Sequence, residues 1–113
     1  MRKEIEYNDV KLILNGMLFT WDSEKEKINI RKHNVTFKEA ASVFFDRHAF
    51  FEPNSIDDYT GEERFDVIGS LFGDLVFVVY VERITINDEE ITRIISARNA
   101  TREEVKKYAY GNS

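Results

Sequence analysis

Two apolar runs, residues 10–14 and 17–21, flank Asn15-Gly16. Asn-Gly between such runs is the strongest short-range hairpin signal, because both residues tolerate the positive φ angles of a type I′ turn. The pattern then changes period. Ser23 and Glu26 have the spacing of a capping box, in which a hydroxyl and a carboxylate satisfy amides left free at a helix start. The helix they open is predicted to run to about His33, where Asn34 suits a left-handed stop. Thr36 and Glu39 repeat the box. Behind them Phe37, Ala40, Ala41 and Phe44 fall at i, i+3, i+4 and i+7, so a second helix lays one apolar face on a sheet.

Past Pro53 and an acidic loop, residues 64–71, 75–86 and 90–98 read as three strands. Gly73-Asp74 and Asn87-Asp88 mark tight connections, which makes these strands antiparallel neighbours. A third capping box, Thr101 with Glu104, opens a short final helix ending near residues 108–111. The predicted fold is α+β: a small antiparallel sheet, two helices from the N-terminal half packed on it, a short C-terminal helix, and an N-terminal β-hairpin extension. A chain of 113 residues supports one core, and no internal repeat or low-complexity segment divides it. One domain over residues 1–113 is expected, with residues 1–17 as the extension.

At 42% hydrophobic and 13% aromatic the chain is too apolar for disorder, yet no run approaches the ~18 apolar residues of a membrane helix. No membrane association is expected. The first residues turn acidic without the apolar stretch of a secretion signal. The absence of cysteine excludes a disulfide framework and thiolate metal sites, and a cytoplasmic location is expected. The net charge of −5 argues against a long basic groove for nucleic acid. It is unevenly spread. Glu52, Asp57, Asp58, Glu62, Glu63 and Asp66 concentrate negative charge in the middle, while Arg31, Lys32, Arg93, Arg98, Arg102, Lys106 and Lys107 lie elsewhere. A local basic site is compatible with this, with weak affinity for free RNA.

The candidate chemistry starts with residues 93–101, a β-type run with arginines near both ends that feeds a capped helix. A guanidinium presents a rigid donor fork that suits phosphate or carboxylate, so pairing with the chain's many acids is the competing reading. Strict alternation puts Arg93 and Arg98 on opposite faces, so the two share a site only through a bulge or a twist. Arg98 is then the better phosphate ligand, because it lies beside the amides of the last helix. Asn29, Lys32 and His33 at i, i+3 and i+4 share one helix face, although a Lys-His pair there more often simply solvates the helix end. Glu62 and Arg64 alternate onto one face at a strand start, and Arg83 closes the most apolar strand with a third cation. A surface ion pair is the plain alternative for Glu62 with Arg64. His48 reads as a loop residue, and Trp21 as core with its indole N–H on a partner. No metal site is expected: the two histidines match no ligand spacing, and Asp57-Asp58 reads as solvated loop charge.

Trp21-Asp22, Asn29, Lys32-His33, Val35-Thr36-Phe37, Glu39-Ala40, Val43-Phe44 and Asp46 come in order. Asp58-Tyr59, Gly61-Glu62-Glu63-Arg64, Ile68-Gly69, Val78-Val79-Tyr80, Glu82-Arg83 and the Arg93 stretch follow. In order and spacing this resembles the BrnT family, toxins of bacterial type II toxin-antitoxin modules that are similar to RelE-type ribonucleases. The similarity covers residue 18 to about residue 108; residues 1–17 and the loop at 86–90 inherit no role from it.

The resemblance implies a RelE-like fold and an endoribonuclease that needs no cofactor or metal. The ribose 2′-hydroxyl attacks the adjacent phosphorus and leaves a cyclic phosphate and a 5′-hydroxyl. It implies catalytic roles for Lys32, His33, Glu62, Arg64, Arg83 and Arg98: Glu62 or His33 as base, His33 or Lys32 as acid, and the arginines as phosphate clamps. Asn29 and Arg93 are the expected substrate-binding residues. The implied partner is a BrnA-like ribbon-helix-helix antitoxin, two toxins with two antitoxins, with DNA contacted only through the antitoxin. Tyr108 and Tyr110 either offer aromatic surface to such a partner or pack back on their own core. The alternative from another class is a non-catalytic interaction module that controls transcription with a DNA-binding partner. A third is a metal-dependent nuclease using the acidic loop, which a chelator would inhibit.

Overall fold

The computed structural model describes residues 8–85 and 87–111. The predicted strand end at Ile86 and residues 1–7 of the extension lie outside these. Strands β1 (Asp9–Leu14) and β2 (Met17–Asp22) form the predicted hairpin, with all six residues of each paired. Its turn is Asn15-Gly16 with φ of 49° and 82°, the two positive angles that a type I′ turn requires.

Helix α1 (Ser23–His33) ends on Asn34 in the left-handed conformation, as predicted. Its start differs from the prediction. Asp22, one residue earlier, holds an extended backbone and accepts hydrogen bonds from the Glu24 and Lys25 amides. Asp22 is therefore the N-cap, and Ser23 and Glu26 form no capping box. The Glu26 carboxylate turns inward, accepting from the Trp21 indole N–H (3.1 Å) and the Phe37 amide (2.8 Å), and so ties β2 to the next helix. Helix α2 (Phe37–Ser42) carries the predicted Thr36/Glu39 box and runs into a 3₁₀ turn over Val43–Phe45.

Strands β3 (Phe50–Ile56), β4 (Glu63–Leu71), β5 (Asp74–Ile84) and β6 (Glu90–Asn99) follow, then helix α3 (Arg102–Gly111), opened by the third box. β3 was not predicted, because Pro53 interrupts its pattern. Pro is tolerated there since β3 is an edge strand, and the pairing shifts register between Pro53 and Ser55. The order β1-β2-β6-β5-β4-β3 makes one six-stranded sheet. It is mixed, and not purely antiparallel as expected. β2 runs parallel to β6, pairing Phe19 with Thr92 and Thr20 with Arg93. Local turn signals specify only hairpin neighbours, whereas this contact joins segments from opposite ends of the chain.

α2 and the 3₁₀ turn cover one sheet face, where Phe19, Trp21, Phe37, Val43, Val67, Val78, Tyr80, Ile94 and Ala97 form the buried core, while α1 buries only Asn29. Gly69 permits the close approach of the 3₁₀ turn to β4, since a Cβ there would lie 2.6 Å from the Val43 carbonyl oxygen. On the other face, which carries α3, Ile68, Phe77, Val81, Ile91 and Arg93 are buried while Arg64, Val79, Arg83, Ser96 and Arg98 stay partly exposed. Among the described residues no helix is long and apolar enough to cross a membrane.

Candidate active site

The partly open face is made by alternate residues of the central strands, and its layout depends on one irregularity. Across β5 and β6 the register pairs Val79 with Ser96 but Tyr80 with Ile94, leaving Ile95 as an extra residue, a β-bulge. Ile94 and Ala97 consequently both face the core although they are an odd number of residues apart, and both are fully buried. The bulge is the irregularity that lets Arg93 and Arg98, separated by strict alternation, lie on one face. Arg93 pairs with Val81, Ser96 with Val79 and Arg98 with Phe77, so all three β6 residues stand on the open face. Bulges commonly re-aim side chains in this way beside functional sites.

β4 and β5 add to the same face. Phe65 pairs with Tyr80 on the core side, so by alternation Arg64 and Asp66 point to the open side, as do Val79, Val81 and Arg83 of β5. Lys32 and His33 approach from the flank, because α1 lies along the edge of β6 beyond the point where β2 departs. There Lys32 and His33 share a shallow recess with Ile95 and Ser96. Asn29 holds α1 in that place. Its side-chain N–H groups donate to the backbone oxygens of Val35 (3.1 Å) and Ala97 (2.8 Å), and its oxygen accepts from the Ala97 amide (3.1 Å). The buried carboxamide thus takes the place of a neighbouring strand along the edge of β6, and both its donors and its acceptor are occupied.

The arginines differ in how they are held. Arg93 is buried, bound through two nitrogens to the Asp9 carboxylate and also to the Thr20 hydroxyl. Arg98 lies 4.3 Å from the centre of the Phe77 ring and makes a two-bond pair with Glu104 of α3 at 2.7 and 2.9 Å. Arg83 pairs with Glu62 at 3.0 and 3.3 Å, while Arg64 stands 3.8 Å from Asp57. Glu62 precedes β4, which begins at Glu63, and it pairs with Arg83, so the alternative of a Glu62–Arg64 ion pair is not formed. Lys32 and His33 make no side-chain hydrogen bond or ion pair with another described residue.

The predicted residues therefore fall into two groups on one face. Lys32 and His33 line a recess with Ser96, two residues along β6 from Arg98, while Glu62, Arg64 and Arg83 lie toward the far end of β5. From Val79, opposite Ser96, to Arg83 is four residues, roughly 13 Å along the strand. His48, read as a loop residue, lies in the turn after the 3₁₀ helix, where its amide donates to Asp46.

α3 buries none of its residues and is held on the open face by polar ties. Besides Arg98–Glu104, Lys107 donates to Glu52 (2.8 Å) and the Tyr108 hydroxyl to Asp46 (2.7 Å). Tyr108 thus packs back on its own domain, while Tyr110 is 73% exposed. Burial works against ionisation of Glu104, but the Arg98 guanidinium and the Thr101 amide outweigh it and hold the carboxyl below its usual range. Asp46 behaves alike: burial is overcome by the Tyr108 hydroxyl and the His48 and Ser70 amides. That bond in turn pushes the Tyr108 phenol up to about 12.

Asp66 was missed as a site-face residue because the sequence shows it only as one acid among many. It is 5% exposed on the open side of β4, accepts a hydrogen bond from Asn54 (2.6 Å), and burial raises its carboxyl above the usual range. Asp9 was missed as well, since nothing local links it to a strand at the other end of the chain. Among the described residues no group of three or more His, Asp or Glu side chains is placed to hold a metal ion.

A small α+β domain with cations, a helix-borne lysine–histidine pair and a hydroxyl on one open sheet face is suited to an anionic, phosphate-bearing substrate. The model of the ribonuclease toxin BrnT, of type II toxin-antitoxin systems, matches residues 21–104. The chain belongs to this family, and so to the ribonuclease toxins that act with an antitoxin partner. Comparison with curated proteins gives no significant match.

Proposed function

We propose that the chain is a RelE-like, metal-independent endoribonuclease that inhibits translation by cleaving RNA through attack of the 2′-hydroxyl on the adjacent phosphorus. The observation that carries this reading is the recess where Lys32 and His33, with no described partner, meet the arginine-bearing face of β6. His33 there moves a proton as base or acid, and Lys32 either supplies the proton to the leaving oxygen or neutralises the charge on the phosphorane-like transition state. Arg98, held by Glu104 and Phe77, is a fixed cation two residues along β6 from Ser96.

Glu62 retains the alternative assignment as base. Its pairing with Arg83 and its place at the far end of β5 fit it better to a neighbouring nucleotide, which Arg64 and Arg83 hold through its phosphate. Asn29 and Arg93, expected to bind substrate, are instead assigned to the frame, since their polar groups are engaged within the fold. The partner is a BrnA-like ribbon-helix-helix antitoxin joining two toxins, and it supplies the DNA contacts.

The deciding experiment is incubation of purified protein with an RNA oligonucleotide in excess chelator. Fragments with 5′-hydroxyl and cyclic phosphate ends are expected. Intact RNA at the end of the incubation, or cleavage that returns only when a divalent ion is added, would overturn the reading.

A further inference from the structure

We propose that Ser96 is a substrate-contacting residue, its hydroxyl donating a hydrogen bond to a non-bridging oxygen of the RNA phosphodiester held between His33 and Arg98. The proposal rests on the RNA-cleavage reading and adds to it a ligand that neither the family match nor the spacing of the charged residues assigns.

The bulge is the first ground. Without the extra residue at Ile95, β6 would turn Ser96 and Arg98 toward the core; with it, Ser96 stands opposite Val79 on the open face. A bulge interrupts the ladder between the two central strands, and what it gains here is the placement of a hydroxyl and a guanidinium two residues apart on one side.

The second ground is that the hydroxyl is uncommitted. Ser96 is half-buried, yet its side chain hydrogen-bonds to no described residue. No fully enclosed side-chain polar atom lacks a partner among the described residues, so its oxygen reaches solvent in the recess. Its neighbours on the strand are occupied: the amide and carbonyl of Ala97 are both bound by Asn29. Ser96 is thus the open donor on this stretch of β6, beside the uncommitted Lys32 and His33 and two residues from a fixed arginine. An ammonium, an imidazole and a guanidinium supply charge to a phosphate; a hydroxyl fixed on a strand supplies direction, selecting one of its oxygens.

The test uses the full chain and a cleavage-resistant RNA oligonucleotide with a 2′-O-methyl group at the scissile nucleotide. It is prepared with either an ordinary phosphate or a stereopure phosphorothioate at that linkage. Ser96→Ala should weaken binding of the ordinary oligonucleotide at least about tenfold, the lower end for a hydrogen bond to a charged group. In the wild type one thio isomer should bind more weakly than the other, and in Ser96→Ala that difference should vanish. Ser96→Thr should restore both affinity and discrimination, with thermal melts showing each variant folded.

If the wild type cuts unmodified RNA while Ser96→Ala cuts and binds equally well, the Ser96 proposal is wrong and the nuclease reading stands. Should the wild type bind with thio discrimination that Ser96→Ala lacks, yet cut nothing, the Ser96 contact stands and the nuclease reading fails. Absence of both binding and cleavage overturns the two together. Equal thio discrimination in wild type and Ser96→Ala would also overturn it, because a loss through packing leaves that ratio unchanged.

Discussion

The Arg93 guanidinium binds the Asp9 carboxylate through two bonds of 2.8 and 2.9 Å, and the side chains are only 10% and 1% exposed. The first strand of the extension is thereby joined to the strand that carries the site. Removing one partner of a buried pair leaves an uncompensated charge and costs about 3–5 kcal/mol. For a domain of this size Asp9→Ala should lower Tm by at least about 12 °C. Asp58→Ala, on an exposed loop, should stay within about 0.5 kcal/mol of wild type. A melting point for Asp9→Ala close to that of Asp58→Ala would show that the pair contributes nothing. It follows that deleting residues 1–15 should disturb the site face, and not merely shorten the sheet.

Asn29 makes three hydrogen bonds, two to Ala97 of β6 and one to the Val35 carbonyl, so Asn29→Ala strands the carbonyls of Ala97 and Val35 and the Ala97 amide. A cost of about 2–3 kcal/mol is expected in denaturant titrations. Cleavage by the still-folded fraction should fall as well, since Lys32 and His33 lose their registration against Ser96 and Arg98. Retention of full specific activity after correction for folded protein would separate Asn29 from the placement of the recess.

How much of this was legible in the sequence depends on the range of each interaction. The hairpin, the stops and the second and third capping boxes follow from neighbours within four residues, and Asn15-Gly16, Asn34, Thr36 and Thr101 announced them. The cap of α1 was misplaced by one residue because Asp22 and Ser23 are both good caps, and only the inward turn of Glu26 decides between them. β3 was hidden by Pro53, which an edge position excuses. The charged candidates were visible as residue types. Their grouping was not, because it depends on a bulge at Ile95, which nothing in the run from Arg93 to Asn99 marks, and on Asp9, which lies at the other end of the chain.

The carboxylates of the open face should give the stability profile two opposite components. Glu104 has its folded value lowered below the ordinary 4.5, so its contribution is complete above that value and is lost as pH falls through the lowered one. Glu104→Gln should therefore be less stable than wild type at neutral pH, with the gap closing in acid. Asp66 has its value raised above 3.8, so protonation favours its folded form and its contribution disappears as pH rises. Asp66→Asn, which can still accept the bond from Asn54, should raise Tm at pH 7 and lose that advantage in acid. Melting curves across pH check both, and an Asp66→Asn gain that persists unchanged into acid would show that burial of the charge is not its cause.

For catalysis the two groups on the face make different predictions. His33→Ala and Lys32→Ala should lower single-turnover cleavage about a hundredfold or more with the fold intact, the usual range for a lost acid, base or electrostatic group. Arg83→Ala, about 13 Å along the strand from the position opposite Ser96, and Glu62→Gln, at its partner, should act mainly through KM if they hold a neighbouring nucleotide. His48→Ala should change little. A Glu62→Gln variant as dead as His33→Ala, with KM unaltered, would move the base to Glu62.

The last expectation concerns the antitoxin. Cells carrying an RNA-cleaving chain must hold it inactive, and the family acts with an antitoxin for that purpose. At a net charge of −5 the toxin is poorly suited to grip DNA by itself, because phosphate-backbone binding is dominated by cationic contacts. DNA binding should therefore appear only when a partner brings basic residues. Tyr110 and the polar-tethered α3 leave an exposed aromatic and a weakly packed helix beside the open face, within reach of a protein that covers both. Expression alone should arrest growth, and co-expression of the neighbouring reading frame should relieve the arrest. Light scattering of the co-purified pair should give the mass of two toxins with two antitoxins, and mobility-shift assays should detect operator binding by the complex but not by the isolated chain. A harmless wild-type chain that also co-purifies with no partner would refute the arrangement; a one-to-one complex that neutralises cleavage would keep the partner and discard the joined pair of toxins.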